Sequence, residues 1–112
     1  MKSIVRKIVM ITGATSGIGM ATAKLLSKHG YNLIITGRRQ DKLNDLQDKL
    51  MQKYGGEVKT LCFDIRNYED TSKAYESLDE NWKNIDILIN NAGLAKGLAA
   101  VHEGKLEDWE TM

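Results

Sequence analysis

Residues 8–19 read Ile-Val-Met-Ile-Thr-Gly-Ala-Thr-Ser-Gly-Ile-Gly, and this stretch decides the fold. It opens with a short apolar run without polar alternation, which is typical of a strand buried on both faces of a parallel sheet. Gly13, Gly17 and Gly19 follow, and a helical pattern begins among them. The unpaired N–H groups and partial positive charge of a helix N-terminus suit a phosphate. We therefore expect a dinucleotide pyrophosphate to bind over residues 13–19.

The spacing of these glycines leaves an alternative open. It is G-x-x-x-G-x-G, whereas the common dinucleotide fingerprint is G-x-G-x-x-G. An ordinary loop, in which Thr15 and Ser16 serve only as helix caps, is therefore a competing interpretation. A Walker A loop is excluded, because no Gly-Lys-Ser/Thr follows the glycines.

Composition restricts the function classes. The chain has 112 residues, the size of one ordinary domain. Its 16 basic and 15 acidic residues give a net charge of +1, which argues against nucleic acid or an anionic membrane as the main partner. The single cysteine, Cys62, cannot form an internal disulfide, so we expect a reducing, cytoplasmic compartment and a small buried side chain. No run approaches the ~18 apolar residues of a membrane span.

The remaining chain alternates strand and helix patterns. Strands are predicted at about 7–12, 32–36, 58–63 and 85–89, and helices at about 17–28, 40–54, 67–79 and from 106 to the last residue, after a loop at 94–105. This alternation predicts an α/β fold with a doubly wound parallel sheet of strand order 3-2-1-4. Ligands of such folds bind at the carboxyl ends of the strands, where strands one and four meet.

Helical periodicity predicts which faces turn inward. The inward residues are expected to be Ile18, Ala21 and Leu25 in the first helix, Leu43, Leu46, Leu50 and Tyr54 in the second, and Thr71, Ala74, Tyr75 and Leu78 in the third.

Two arginines after the second strand indicate the cofactor. An acid at this position would accept hydrogen bonds from the adenosine ribose and favour NAD, whereas a 2′-phosphate needs a cation. Here the chain has Arg38 and Arg39 and no acid. Guanidinium groups bind phosphate through paired hydrogen bonds, so we predict NADP, with two ordinary surface charges as the alternative.

Other polar residues carry weaker signals. Asp64 ends the third strand and could accept a hydrogen bond from the adenine amino group, or it could be a turn or cap residue before the third helix. His29 and His102 lack metal-ligand spacing, so both are interpreted as structural or solvent-facing. Trp82 and Trp109 are interpreted as packing residues.

Three motifs in order resemble the short-chain dehydrogenase/reductase family across the whole chain. They are Thr12-Gly13-Ala14-Thr15-Ser16-Gly17-Ile18-Gly19, then Asp64, then Asn90-Asn91-Ala92-Gly93. Residues 84–95 and 107–112, with the Gly-Arg-Arg turn at 37–39, resemble the branch of NADP-dependent 3-hydroxy acid dehydrogenases that includes serine and allo-threonine dehydrogenases. The resemblance implies a Rossmann fold and a small-molecule substrate. It also implies a homo-oligomer, commonly a tetramer.

The resemblance also implies roles by position. Residues 13–19 would wrap the pyrophosphate and adenosine, and Arg38 and Arg39 would hold the 2′-phosphate. Asp64 and the backbone of Ile65 would bracket the adenine. Asn91, followed by Ala92 and Gly93, would touch the adenosine ribose through its backbone, and Asn90 would tie strand four to its neighbours.

The chain departs from the family in its chemistry. The family uses a Tyr-x-x-x-Lys pair with a serine and an asparagine, and none of the tyrosines here has lysine four residues later. We therefore expect residues 1–112 to be a single NADP-binding domain, the first part of a longer enzyme, truncated after strand four and the start of the next helix. Such a truncation would leave strand four as an unpaired apolar edge.

Three functions remain open from the sequence. The first is an NADP-dependent oxidoreductase of alcohol or 3-hydroxy acid groups. The second is a non-catalytic NADP-binding fragment or module, which the missing Tyr-x-x-x-Lys pair favours. The third is another doubly wound protein, such as a methyltransferase or a flavodoxin-like domain. The two arginines argue against a methyltransferase, which usually wants an acid near its cofactor ribose.

Overall fold

The computed structural model describes residues 6–91 and the two residues 110–111, and in it the strands form one parallel sheet. The strands are β1 (Ile8–Thr12), β2 (Asn32–Gly37), β3 (Val58–Cys62), β4 (Ile87–Asn90) and β5 (Glu110–Thr111). Their order in the sheet is β3-β2-β1-β4-β5. The predicted doubly wound order 3-2-1-4 is therefore confirmed.

Helices connect the strands, with bounds at α1 (Gly17–Lys28), α2 (Gln40–Tyr54), α3 (Tyr68–Glu76) and α4 (Glu80–Lys83). Gly55 ends α2 in the left-handed conformation, with φ at 77°, which glycine adopts without strain. The Asn67 side chain begins α3 by accepting a hydrogen bond from the Asp70 backbone N–H. The helix predicted over 67–79 is shorter in the structure, because α3 ends at the Ser77 cap, and the separate turn α4 begins only at Glu80.

The core lies on both faces of β1, whose five residues are all buried. Alternate side chains point to opposite faces. Ile8 and Met10 belong to the apolar cluster that contains Leu78 of the α3–α4 segment. Val9 and Ile11 belong to the cluster on the α1–α2 side of the sheet. The apolar run without alternation therefore reflects burial on both faces, as predicted.

The predicted faces of α2 and α3 are confirmed, but the predicted face of α1 is wrong. Leu43, Leu46, Leu50, Thr71 and Leu78 are buried, while Tyr54, Ala74 and Tyr75 pack partly buried against the two clusters. In α1, by contrast, Ile18 is 75% exposed and Leu25 is 55% exposed, and Ala21 is exposed as well.

The buried residues of α1 are instead Gly19, Ala23 and Ser27. They recur every four residues, so they form one face of small side chains. Small side chains let the helix axis approach the sheet closely, and this packing outweighs the hydrophobicity of Ile18 and Leu25.

Two further expectations are wrong. Cys62 is exposed, because it is the last residue of β3, which lies at one end of the strand order. Glu110 and Thr111 form a strand where a helix was predicted, because they pair in parallel register with Ile87 and Leu88 of β4. The open side of β4 supplies backbone groups that favour this pairing, so β4 is not the unpaired edge that was expected.

Some expectations lie outside the described residues, namely the loop at 94–105, His102 and Trp109. Trp82 is partly buried against the α3–α4 cluster and His29 is exposed, as interpreted from the sequence. Within residues 6–91 and 110–111, no helix is long and apolar enough to cross a membrane.

Candidate nucleotide-binding cleft

A cleft of about 390 Å³ opens at the carboxyl ends of β1, β2, β3 and β4. It lies where the doubly wound topology places ligands. Seven residues that the sequence nominated line it: Gly13, Thr15, Ser16, Arg38, Asp64, Ile65 and Asn91. The structure therefore brings together residues that are up to 78 positions apart in the chain.

The turn after β1 is fixed by a compact set of hydrogen bonds. Gly13 has a φ of 64°, in the region that favours glycine. Its carbonyl oxygen accepts from the Ser16 backbone N–H at 3.2 Å and from the Ser16 hydroxyl at 2.8 Å. The Asn91 side-chain amide donates to the same Gly13 carbonyl at 3.2 Å and to the Ser16 hydroxyl at 2.9 Å. The end of β4 thus holds the glycine turn in shape.

The N-terminus of α1 is left free of side-chain caps. Ser16 occupies the N-cap position, but its hydroxyl is directed to Gly13 and makes no capping bond. The first turn carries no acidic residue either. The first N–H groups of any α-helix lack intrahelical partners, so those of α1 keep their donor capacity and positive potential. The alternative that Ser16 is only a helix cap is not what the structure shows.

The N-terminus of α3 differs from that of α1 in its capping. Asn67 caps α3 through its side chain, and Glu69 and Asp70 lie in the first turn. These side chains provide a hydrogen-bond acceptor and negative charge to the backbone N–H groups at the α3 N-terminus. Of the four described helices, α1 alone has neither a side-chain cap nor an acidic residue in its first turn, which leaves its N-terminus suited to an external anion.

The two remaining glycines of the turn differ in whether a side chain would fit at their position. A Cβ on Gly19 would overlap the Gly13 carbonyl oxygen and would lie 2.8 Å from the Asn91 amide nitrogen, so close packing of α1 requires glycine here. A Cβ on Gly17 would meet no heavy atom within 4 Å. The space beside Gly17 is therefore open, and a ligand could approach the backbone there.

The two arginines after β2 take different positions. Arg38 is exposed and lines the cleft. Arg39 is the N-cap residue of α2, is exposed, and does not line the cleft. The sequence does not distinguish the two arginines, whereas in the structure only Arg38 of the two lines the cleft.

Asp64 follows the last residues of β3 and is bound by one arginine. Its two carboxylate oxygens accept from the Nε and a terminal nitrogen of Arg66, each at 3.1 Å, and one of them also accepts from the Arg66 backbone N–H at 3.0 Å. The Arg66 side-chain hydrogen bonds, with its backbone bond and the charge of Arg38, lower the pKa of Asp64 to about 2. Asp64 is therefore both a turn residue and an ionised group in the cleft wall.

The other nominated residues lie around this set. Ala14 is fully buried and its backbone N–H donates to Thr36 of β2, while Gly17 and Ile18 are exposed at the start of α1. Ala92 and Gly93 lie outside the described residues.

Gly37 of the Gly-Arg-Arg turn also lines the cleft, and sequence reasoning missed three lining residues, namely Thr36, Phe63 and Arg66. A signal existed for Arg66, because an arginine two residues after an aspartate in a tight turn can reach its carboxylate. Among the described residues, no group of three or more His, Cys, Asp or Glu side chains could hold a metal ion.

Comparison with known proteins places this geometry in a family. Residues 7–112 match the family model of the short chain dehydrogenases. The chain belongs to this family. The matched range contains the glycine turn, Asp64 and Asn91.

Two sequence relatives cover almost the whole chain. The NADP-dependent 3-hydroxy acid dehydrogenase of Salmonella typhi is 44% identical over 105 residues, which are 94% of this chain and 41% of the relative. The serine 3-dehydrogenase of Agrobacterium fabrum is 45% identical over 104 residues, which are 93% of this chain and 40% of the relative. The chain thus spans well under half the length of these relatives.

Solved structures agree with the fold. The L-sorbose reductase of Gluconobacter frateurii, crystallised with NADPH and L-sorbose, has a TM-score of 0.74 and 34% identity, and the match covers 80% of this chain and 34% of that one. The serine dehydrogenase of Escherichia coli has a TM-score of 0.70 and 42% identity, with 79% of this chain and 39% of that one covered.

Proposed function

We propose that this chain forms the NADP-binding part of an oxidoreductase that moves a hydride between nicotinamide and a hydroxyl or carbonyl group. The proposal rests on the groups that meet at the cleft. The uncapped N-terminus of α1 and the cation Arg38 are assembled at one cleft, and no carboxylate follows β2 where an NAD site would have one. The relatives named for NADP dependence support the same choice.

The glycine turn fits a pyrophosphate. The open space beside Gly17 allows close approach to the backbone, and the uncapped first turn of α1 offers N–H donors and positive potential. Residues Gly13, Ala14, Thr15, Ser16, Gly17, Ile18 and Gly19 would form this part of the site. Ala14 and Gly19 would act through packing, since both are buried.

Arg38 fits the 2′-phosphate. Arg38 follows β2 and lines the cleft that also contains the turn. A guanidinium binds phosphate bidentately and can stack on a base, and both properties suit the adenosine end of NADP. Arg39 would add positive charge from outside the cleft wall.

The far end of the cleft fits the adenine and its ribose. Asp64 would accept from the adenine amino group, with the Ile65 backbone beside it. Asn91, Ala92 and Gly93 would face the ribose. In this arrangement the residues between β3 and α3 select the base, and those after β4 position the sugar.

When bound, the nicotinamide supplies the hydride chemistry, and the described residues of this chain bind and orient the dinucleotide. The substrate class we propose is a short 3-hydroxy acid, supported by the names of the two sequence relatives. We further propose a cytoplasmic homo-oligomer, a tetramer as is common in the family, for the intact enzyme.

A second candidate function is NADP binding without turnover by the 112 residues alone. The specific observation is that this sequence contains no Tyr-x-x-x-Lys pair. A turnover assay with NADP and short 3-hydroxy acids separates the two candidates. NADPH formation by the protein that contains these 112 residues supports the first, and NADP binding by that protein without NADPH formation supports the second.

Calorimetric titration of the chain with NADP and NAD tests the cofactor assignment. We expect Arg38→Asp to weaken NADP binding at least tenfold more than NAD binding, since it replaces a phosphate ligand by a like charge. Lys28→Asp makes the same charge change in the last turn of α1, away from the cleft, and should alter both affinities equally. Equal losses for the two cofactors in Arg38→Asp would refute the assignment.

A further inference from the structure

We propose that Arg66 determines cofactor selectivity by neutralising Asp64, which leaves Arg38 available to the 2′-phosphate. The inference rests on the proposed NADP function and deepens it. It assigns a role to a residue that binds no part of the cofactor in this scheme. Arg66 is therefore a positioning residue, acting through a carboxylate and a second guanidinium.

Arg66 makes three hydrogen bonds to Asp64, and Oδ2, which receives one of them, can still accept another, as the adenine assignment requires. Three donors of that one residue, the backbone N–H, Nε and a terminal guanidinium nitrogen, reach the two carboxylate oxygens at 3.0–3.1 Å. This is a bidentate side-chain pair with an added backbone bond, and bidentate Arg–carboxylate pairs combine charge assistance with a fixed geometry.

Arg38 competes for the same carboxylate. Both side chains line the cleft, from the ends of the neighbouring strands β2 and β3, and the positive charge of Arg38 contributes to the low pKa of Asp64. Among the described residues, the ion pair of Asp64 is nevertheless with Arg66, and Arg38 takes part in none. In the structure, therefore, the Arg66 guanidinium is paired with Asp64, and the Arg38 guanidinium is in no ion pair with a described residue.

Removal of the Arg66 side chain would weaken NADP binding in two ways. The uncompensated carboxylate of Asp64 would attract Arg38 away from the ligand, and it would repel the 2′-phosphate directly. Both effects act on NADP, whereas NAD carries no charge at this position. The NADP to NAD affinity ratio should therefore respond to Arg66 even though the arginine touches neither cofactor.

The turn itself does not depend on the guanidinium. The Arg66 side chain is 71% exposed, and the Asn67 backbone N–H donates to the Asp64 carbonyl at 2.9 Å independently of it. The Arg66 backbone N–H also remains in any substitution other than proline. We therefore expect Arg66→Gln to fold as the wild type does.

The test is a calorimetric comparison of four proteins with NADP and NAD: wild type, Arg66→Gln, the double variant Asp64→Asn with Arg66→Gln, and Lys28→Gln. We expect the NADP to NAD affinity ratio to fall about fivefold in Arg66→Gln, the scale of one uncompensated charge a few ångströms away across solvent. The double variant, which removes both charges, should restore the ratio. Lys28→Gln, which removes a charge far from the cleft, should leave it unchanged.

The outcomes separate this inference from the proposed function. A wild-type chain without preference for NADP refutes the proposed function and the inference together. A clear wild-type preference that persists in Arg66→Gln refutes the inference alone. A ratio that falls in Arg66→Gln and stays low in the double variant also refutes it, because a structural role of Arg66 would not be rescued by neutralising Asp64.

Discussion

The side-chain amide of Asn91 donates a hydrogen bond to the carbonyl oxygen of Gly13, at 3.2 Å, across the carboxyl ends of β4 and β1. This bond joins the last described residue of the β4 segment to the first residue of the glycine turn. It adds a third donor to a carbonyl that also accepts from the Ser16 backbone N–H and the Ser16 hydroxyl. The shape of the glycine turn therefore depends in part on a residue 78 positions away in the chain.

Asn91→Asp should weaken dinucleotide binding at least tenfold while the fold is retained. The substitution exchanges an amide donor for a carboxylate that faces the Gly13 carbonyl, and it places a negative charge beside the proposed pyrophosphate site. Titration calorimetry and circular dichroism measure the two properties. Asn44→Asp, on the exposed face of α2, is the matched control and should bind normally. Normal affinity in Asn91→Asp would contradict the role of this bond.

Gly17→Ala and Gly19→Ala should have opposite effects on stability. Alanine at Gly19 overlaps the Gly13 carbonyl and should lower the free energy of unfolding by ~1–3 kcal/mol, the range for overpacking. Alanine at Gly17 meets no atom within 4 Å and should raise it by ~0.4–1 kcal/mol, because alanine lowers the conformational entropy of the unfolded chain. Urea denaturation measures both.

The same pair separates stability from binding. Although Gly17→Ala should be the more stable variant, its methyl group fills the space that we assign to the pyrophosphate, so its affinity for NADP should fall. A Gly17→Ala chain that is both more stable and equally tight in binding would contradict that assignment.

Ser27→Ala should leave stability unchanged or raise it by up to ~1 kcal/mol. The Ser27 hydroxyl is buried and has no hydrogen-bond partner in the described part of the chain, so its removal relieves a desolvation cost. Thr71→Val is the control, because the buried Thr71 hydroxyl donates to the Asn67 carbonyl at 2.8 Å. That variant should lose ~1–2 kcal/mol. A loss of that size in Ser27→Ala would show that its hydroxyl is satisfied.

Asp64 should titrate well below an ordinary aspartate. Hydrogen bonds from Arg66 lower its pKa from 3.8 to about 2, so the native state favours the ionised form. The resulting contribution to stability is complete above pH 3.8 and is lost as the pH falls toward 2. Carboxyl ¹³C shifts should show Asp64 still ionised at pH 3.8, and its midpoint should rise in Arg66→Gln. An unchanged midpoint in that variant would contradict the cause we assign.

Much of the fold follows from the sequence because its signals are local. The apolar run of β1, the stop at Gly55 and the cap at Asn67 each depend on a few neighbouring residues. The cleft could be predicted as well, since topology alone brings the carboxyl ends of parallel strands together.

The predictions that were wrong concern features that depend on packing between secondary-structure elements. Periodicity assigned Ile18 and Leu25 to the inner face of α1, but the helix packs through Gly19 and Ala23, whose small size is not recorded by hydrophobicity. The position of Cys62 depends on which strand ends the sheet. The difference between Arg38 and Arg39 depends on where the first turn of α2 begins. None of these can be determined from spacing alone.

The most direct test of the account is a titration of the purified chain with 2′,5′-ADP and with 5′-AMP. These ligands share the adenosine that Asp64 and Asn91 would contact, and only the first carries the phosphate assigned to Arg38. The account predicts that 2′,5′-ADP binds at least tenfold more tightly and that Arg38→Gln removes the difference. Equal affinities for the two ligands in the wild-type chain would contradict it.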